Sequence, residues 1–211
     1  MGEAELKRVI EACLKQDRKQ QKMLYKAYYG FAMSICIRYA GNRYEAAEIM
    51  NQGFLKVFTN LHKYDPQRPF MAWLGRIMIN ASVDYYRSNL KIAYQDDLEK
   101  AEHISDDNLP DQKLLYEDLI AMVQKLPQAY RTVFNLYAIE GYTHEEIAAA
   151  LNISTGTSKS NLFKAREKLR RMIAENGIKS PGSYGEMSTI QVVAISNITH
   201  RITFVHNEFI R

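Results

Sequence analysis

Between Tyr142 and Arg171 the chain reads YTHEEIAAALNISTGTSKSNLFKAREKLRR, and this stretch restricts the fold more than any other. Thr143 and Glu146 form an S/T-x-x-E pair, the signature of a reciprocal N-terminal cap, which predicts a helix beginning at His144. Ile147, Ala148 and Leu151 then fall on one face of it. Asn152 stands where the chain must turn with positive φ, a conformation asparagine tolerates better than most non-glycine residues. Ile153 is placed to fill the corner, and Ser154 to cap a second helix. Along that helix Leu162, Ala165 and Leu169 recur at helical spacing and face inward, while Lys159, Lys164, Arg166, Lys168, Arg170 and Arg171 occupy the other faces against Glu167. A helix-turn-helix with an apolar seam and a basic exterior fits a major groove lined by phosphates. A solvated basic helix in an ordinary bundle would show the same spacing, so spacing alone leaves both readings open.

The rest of the composition narrows the class. A chain of 211 residues with 46% hydrophobic content buries one core of ordinary size or two small ones. A net charge of +4 is too small to act through its total, so placement must matter. Cys13 and Cys36 fit neither a disulfide framework nor a C-x-x-C metal pair, and read as buried or inert thiols of a reducing cytoplasm. The N-terminus is too charged for a signal peptide, Leu6 breaks the myristoylation pattern, and no apolar run reaches the length of a membrane span. The expectation is a soluble cytoplasmic chain without membrane insertion. Catalytic signatures fail on inspection. His144-Glu145-Glu146 begins like a zinc-protease helix, but Ala148 stands where its second histidine belongs. No phosphate-binding glycine loop and no G-x-S-x-G elbow occurs. No enzyme activity, metal or cofactor is expected.

Helical periodicity runs through most of the first 175 residues. After a short amphipathic start, Leu24, Tyr28, Phe31, Ile35 and Tyr39 share one side of a helix that Gly41 ends. Asn42 can cap the next, predicted over 45–61, whose inward set is Ile49, Gly53 or Phe54, Val57 and Leu61. Two prolines in HKYDPQRP, residues 62–69, forbid a continuous helix there, and helix resumes over 70–87. Residues 91–111 are acid-rich and poor in apolar side chains, which predicts a linker between two helical domains. Helix returns over 112–125, breaks at Pro127, and continues through Val133, Leu136 and Ile139. From Asn176 to Arg211 the pattern changes to helix breakers and β-branched runs whose apolar residues are too many for a comfortable disordered segment, so docking is expected.

The segment Arg68 to Asn89 mixes Phe70, Trp73, Tyr85 and Tyr86 with Arg68, Arg76, Arg87, Asn80 and Asn89. Aromatics stack on unpaired bases, arginines neutralise the backbone and amides read base edges. Trp73, Leu74, Ile77 and Ala81 equally make the core face of a helix, and both uses are compatible.

The order of these parts carries a resemblance. YEAAEIMNQGFLKVF, then F-x-x-W-L-x-x-I-x-x-N-x-x-x-D-x-x-R, an acidic linker, and the helix-turn-helix preceded by LPQAYRTVFNLYAIEG resemble bacterial sigma factors of the extracytoplasmic-function group over roughly residues 18–173. The resemblance implies an all-α chain: a domain at 1–90, a linker at 91–111, a helix-turn-helix domain at 112–175, and a tail at 176–211 outside the pattern. It implies core RNA polymerase and promoter DNA as partners, with an anti-sigma factor as a further candidate. Glu45, Glu48, Asn51 and Gln52 would dock on the clamp helices of the largest polymerase subunit. Lys63, Tyr64, Asp65, Gln67 and Arg68, with Asn80, would hold a base flipped from the melted −10 element. Ser154, Thr155, Lys159, Ser160, Phe163 and Lys164 would contact the −35 duplex, lysines mainly at phosphates and shorter polar groups at base edges.

The chain departs from the family pattern at Asn51-Gln52, where Gln-Glu is usual, and at Ser158, where an apolar residue is usual and a buried hydroxyl needs a partner. A polymerase-independent helix-turn-helix regulator, or a sigma-like decoy binding an anti-sigma factor and no DNA, are the competing readings. The linker acids carry the sign of a phosphodiester chain. Replacing Asp96, Asp97, Glu99, Asp106 and Asp107 with their amides is expected to leave promoter binding nearly intact and to change the yield of abortive RNA in a transcription assay.

Overall fold

Several helices of this chain start where a side chain is available to satisfy their first amides. In the computed structural model, which describes residues 1–93 and 116–175, Asp17 accepts from the N–H groups of Lys19 and Gln20 and opens α2, Arg18–Tyr39. Asn42 accepts from the Glu45 N–H at 2.9 Å and opens α3, Arg43–Asn60. A shorter helix, α1, Glu3–Leu14, precedes them, and a 3-10 turn at Leu61–Lys63 leads through the proline loop into α4, Phe70–Ala93. Residues 94–111, which hold most of the expected linker, the first residues of the helix expected from 112, and the tail at 176–211 lie outside the described residues. All regular structure among the described residues is helical, as expected for an all-α chain.

The described chain forms two compact units, the first running through Met1–Asp84 and the second beginning at Tyr85, inside α4. The first unit buries Leu24, Ile35, Cys36 and Tyr39 of α2 against Ile49, Met50, Phe54 and Val57 of α3 and Leu74 and Met78 of α4. These are largely the inward positions that the periodicity marks, with Tyr28 and Phe31 only half-buried. Gly53 of α3 packs closely on α4: a Cβ there would overlap the Met78 sulfur, so a larger residue would force that buried side chain to move. Burial pushes the Cys13 thiol up to about 11 and the Cys36 thiol up to about 12, so both stay protonated and unreactive at neutral pH.

The second unit contains α5, Tyr116–Gln124, and α6, Gln128–Phe134, separated at Pro127. Periodicity alone suggests that α6 continues to Ile139. The chain instead widens into a π-helical segment at Asn135–Ile139. Asn135 is fully buried and donates Nδ2 to the Arg131 carbonyl at 2.9 Å, so a polar residue occupies the inward face at the point of widening. Then come α7, His144–Leu151, and α8, Thr155–Glu175. Ile147 and Leu151 meet Leu162, Ala165 and Leu169 in the core, with Val133, Phe134 and Leu136.

Asn152 ends α7 at φ 55° and ψ 48°, in the left-handed region. An alanine there would carry a Cβ into a conformation that costs about 1 kcal/mol or more, whereas glycine has no such cost. Asn152→Ala is therefore expected to destabilise the chain by about 1 kcal/mol, and Asn152→Gly to stay within a few tenths of wild type, in chemical denaturation.

Candidate nucleic-acid interface

Side-chain caps fix the starts of both α7 and α8. Thr143 Oγ1 accepts the Glu146 N–H at 3.2 Å, and the Glu146 carboxylate accepts the Thr143 N–H at 2.8 Å, completing the expected capping box. Ser154 accepts the Thr157 N–H at 3.0 Å, and its Oγ lies 2.9 Å from the Thr157 hydroxyl. Ser154 is thus occupied as the cap of α8. Thr155, Lys159 and Phe163 follow at intervals of four along one exposed stripe, with Ser160 and Lys164 beside it. Phe163 is 66% exposed, an aromatic on the polar side of a helix.

The basic residues of α8 divide into two groups. Lys159, Lys164, Lys168 and Arg171 are exposed, although the Lys164 ammonium also stands 5.8 Å from the centroid of the Tyr130 ring. Arg166 lies over the Tyr137 ring at 5.5 Å, and Arg170 is tied to Glu167 at 2.8 Å. Those two are half-buried and lie on the same side of α8 as Lys159 and Phe163, held in place by these contacts. Spacing pairs Arg170 with Glu167 three residues away, but it could not find Tyr130 for Lys164 or Tyr137 for Arg166, which come from α6 and the π-helical segment.

Behind the stripe, Ser158 has the partner its burial demands: its Oγ lies 2.9 Å from His144 Nδ1. His144 also stacks on Tyr137, with centroids 4.6 Å apart and planes at 25°. Burial, then the cations Lys159 and Arg166, lower the His144 pKa against the opposing pull of Glu145, so the imidazole is neutral at neutral pH.

In the first unit the proline loop is stiffened by its own residues. The Tyr64 hydroxyl donates to the Arg68 carbonyl at 2.6 Å, and its ring packs against Phe70 and Trp73 with centroids 5.2 and 5.4 Å away. Asp65 accepts the Gln67 N–H at 3.0 Å and sits 3.6 Å from the Arg68 guanidinium. Lys63 donates to Asn60 at 2.9 Å. Lys63, Tyr64, Asp65, Gln67 and Arg68 therefore share one preorganised loop, and Asn80 is exposed on α4. Of these, Tyr64 is a pillar of the loop as much as a surface group.

The α3 residues separate in the same way. Glu45 is half-buried, its carboxylate accepting the Gly41 N–H at 2.7 Å and the Asn42 amide at 2.9 Å. Asn51 accepts the Tyr25 hydroxyl at 3.1 Å. Glu48 and Gln52 are exposed, and Tyr44 and Leu55, at 89% and 62% exposure, extend the same face. Tyr44 and Leu55 were open to discovery in the sequence: their spacing from Glu48 and Gln52 is helical, and both are apolar where solvent is expected.

The matches to known proteins follow this division. The family model for sigma-70 region 2 matches residues 24–91, and that for sigma-70 region 4 matches residues 116–169. The chain is 30% identical over 183 residues to the ECF RNA polymerase sigma factor SigW of Bacillus subtilis, covering 81% of this chain and 97% of that protein. It is 30% identical over 154 residues to the ECF RNA polymerase sigma factor SigE of Mycolicibacterium smegmatis, covering 71% of this chain and 60% of that one. Among solved structures it resembles the sigma factor RpoE in complex with the anti-sigma factor NepR from Bartonella quintana, at 18% identity over 72% of this chain and 96% of that one, with a TM-score of 0.47.

The exposed lysines of α8 give a direct test of which face meets a duplex. Lys159→Ala and Lys164→Ala are each expected to lower the slope of log K against log salt by about 0.9 for every phosphate that the lysine neutralises, read by fluorescence anisotropy on promoter DNA. Unchanged slopes in both variants would remove this face from the DNA.

Proposed function

Because this chain belongs to the extracytoplasmic-function family of RNA polymerase sigma factors, which direct transcription initiation, we propose that its two helical units divide polymerase docking and promoter reading between them. The α8 stripe of Thr155, Lys159 and Phe163, with Ser160 and Lys164, reads the −35 duplex from the major groove, and Ser154 sets where that stripe begins. The loop of Lys63, Tyr64, Asp65, Gln67 and Arg68, with Asn80, captures an unpaired base of the −10 element. The α3 face of Tyr44, Glu48, Gln52 and Leu55 docks on the clamp helices of the core enzyme, with Asn51 beside it and Glu45 holding the helix start. The domain limits of 1–90 and 112–175, with a connecting linker, belong to this reading. So does the absence of any catalysis by the chain itself, its place with polymerase in the cytoplasm, and regulation by an anti-sigma factor.

One observation carries most of the weight: α8 exposes a row of small polar, cationic and aromatic side chains while Ser158, Leu162, Ala165 and Leu169 on its inner face are buried against an α7 fixed by a complete capping box and a left-handed turn. Protein surfaces that read DNA need that combination of rigidity and exposed chemistry.

In vitro transcription with purified core polymerase and a promoter library tests the reading. Specific transcripts are expected only when the chain is added. Glu48→Lys is the better probe of docking, since changing Glu45 would also remove a helix cap, and it is expected to weaken association with core by about tenfold. Promoter-specific DNA binding without polymerase would favour a stand-alone regulator, and binding of an anti-sigma partner without any DNA binding would favour a decoy.

A further inference from the structure

Ser158 is the one polar residue on the buried seam of α8 formed with Leu162, Ala165 and Leu169, and it is 0% exposed. Its own N–H bonds to the Ser154 carbonyl at 3.0 Å, which leaves the hydroxyl to be satisfied from elsewhere. His144 Nδ1 does so at 2.9 Å, from the first residue of α7. The imidazole in turn stacks on Tyr137 of the π-helical segment, and Arg166 of α8 lies over that same tyrosine. One connected set of side chains therefore ties the start of α7 and the π-helical segment to two successive places on α8.

Apolar contacts are non-directional, so the Leu and Ala seam alone tolerates small rolls of α8 about its axis. A hydrogen bond weakens steeply with distance and angle, and a bond at the seam fixes that roll. Ser158 adjoins Lys159 and lies within a turn of Thr155, so any roll released there displaces the exposed stripe relative to a groove. We propose that His144 is a positioning residue for promoter discrimination: its hydrogen bond to Ser158 sets the roll of α8 against α7, and with it which base edges Thr155, Lys159 and Phe163 reach. This rests on the −35 reading given above. His144 itself makes no base contact in this scheme; it acts through Ser158.

The test uses the full chain with core polymerase and compares open-complex formation on a preferred and a scrambled −35 element, with the salt slope measured alongside. Ser158→Ala and His144→Ala are each expected to cut the preferred-to-scrambled ratio roughly fivefold, the free-energy equivalent of one hydrogen bond. The double variant is expected to lose no more than either single one, because both remove the same bond. His144→Asn, whose amide places a polar atom near the position of Nδ1, is expected to restore most of the ratio. The salt slope should not move, since the exposed lysines remain. Additive losses, equal losses on both templates, no loss, or His144→Asn behaving like His144→Ala would each overturn the proposal while wild type still prefers its −35 element. A wild-type chain with no such preference would overturn the proposal together with the reading beneath it.

Discussion

The reciprocal bonds between Thr143 and Glu146 decide where α7 begins, and the second unit depends on that start. With the first amides of α7 satisfied, Ile147 and Leu151 fall on the core side, and the helix runs out at Asn152. The left-handed turn at Asn152 and the Ser154 cap then fix the start of α8. A shift of one residue at Thr143 would rotate everything after it by about 100°. Local hydrogen bonds of modest individual strength thereby control which side chains of α8 face solvent.

The same economy appears in the first unit, where several residues both build the surface and belong to it. Glu45 closes the cap of α3, Asn51 receives Tyr25, and Tyr64 closes the loop that carries it. Substituting such residues changes geometry and chemistry together. Glu48, Gln52, Tyr44 and Leu55, by contrast, sit on the exposed face of α3 and can be altered with little effect on the helix beneath.

Much of this was legible in the sequence because helix starts, stops and inward faces are local properties. The capping box, the Asn152 turn, the Asn42 cap and the inward sets of α3 and α8 all follow from spacing within a few residues. What spacing could not supply was the choice among partners distant in sequence. Ser158 stood out as a buried hydroxyl, but nothing near it named His144 as its acceptor or donor. Arg166 counted as a surface base until Tyr137, 29 residues earlier, was found beneath it. The π-helical widening at Asn135 escaped for a similar reason: the apolar period through Val133, Leu136 and Ile139 is compatible with either winding, and a buried side-chain amide accompanies the change.

The separation of α8 into a locked back and an exposed stripe has a consequence for how such a chain diversifies. Ser158, Leu162, Ala165 and Leu169 answer to the core, whereas Thr155, Lys159, Ser160, Phe163 and Lys164 make few demands on it. Changes along the stripe can therefore accumulate at almost no cost in folding, and duplicated copies can drift toward different target sequences on an unaltered chassis. The back is where such drift meets resistance: a substitution at Ser158 or His144 would re-aim the whole stripe at once, converting a gradual search among targets into a single jump.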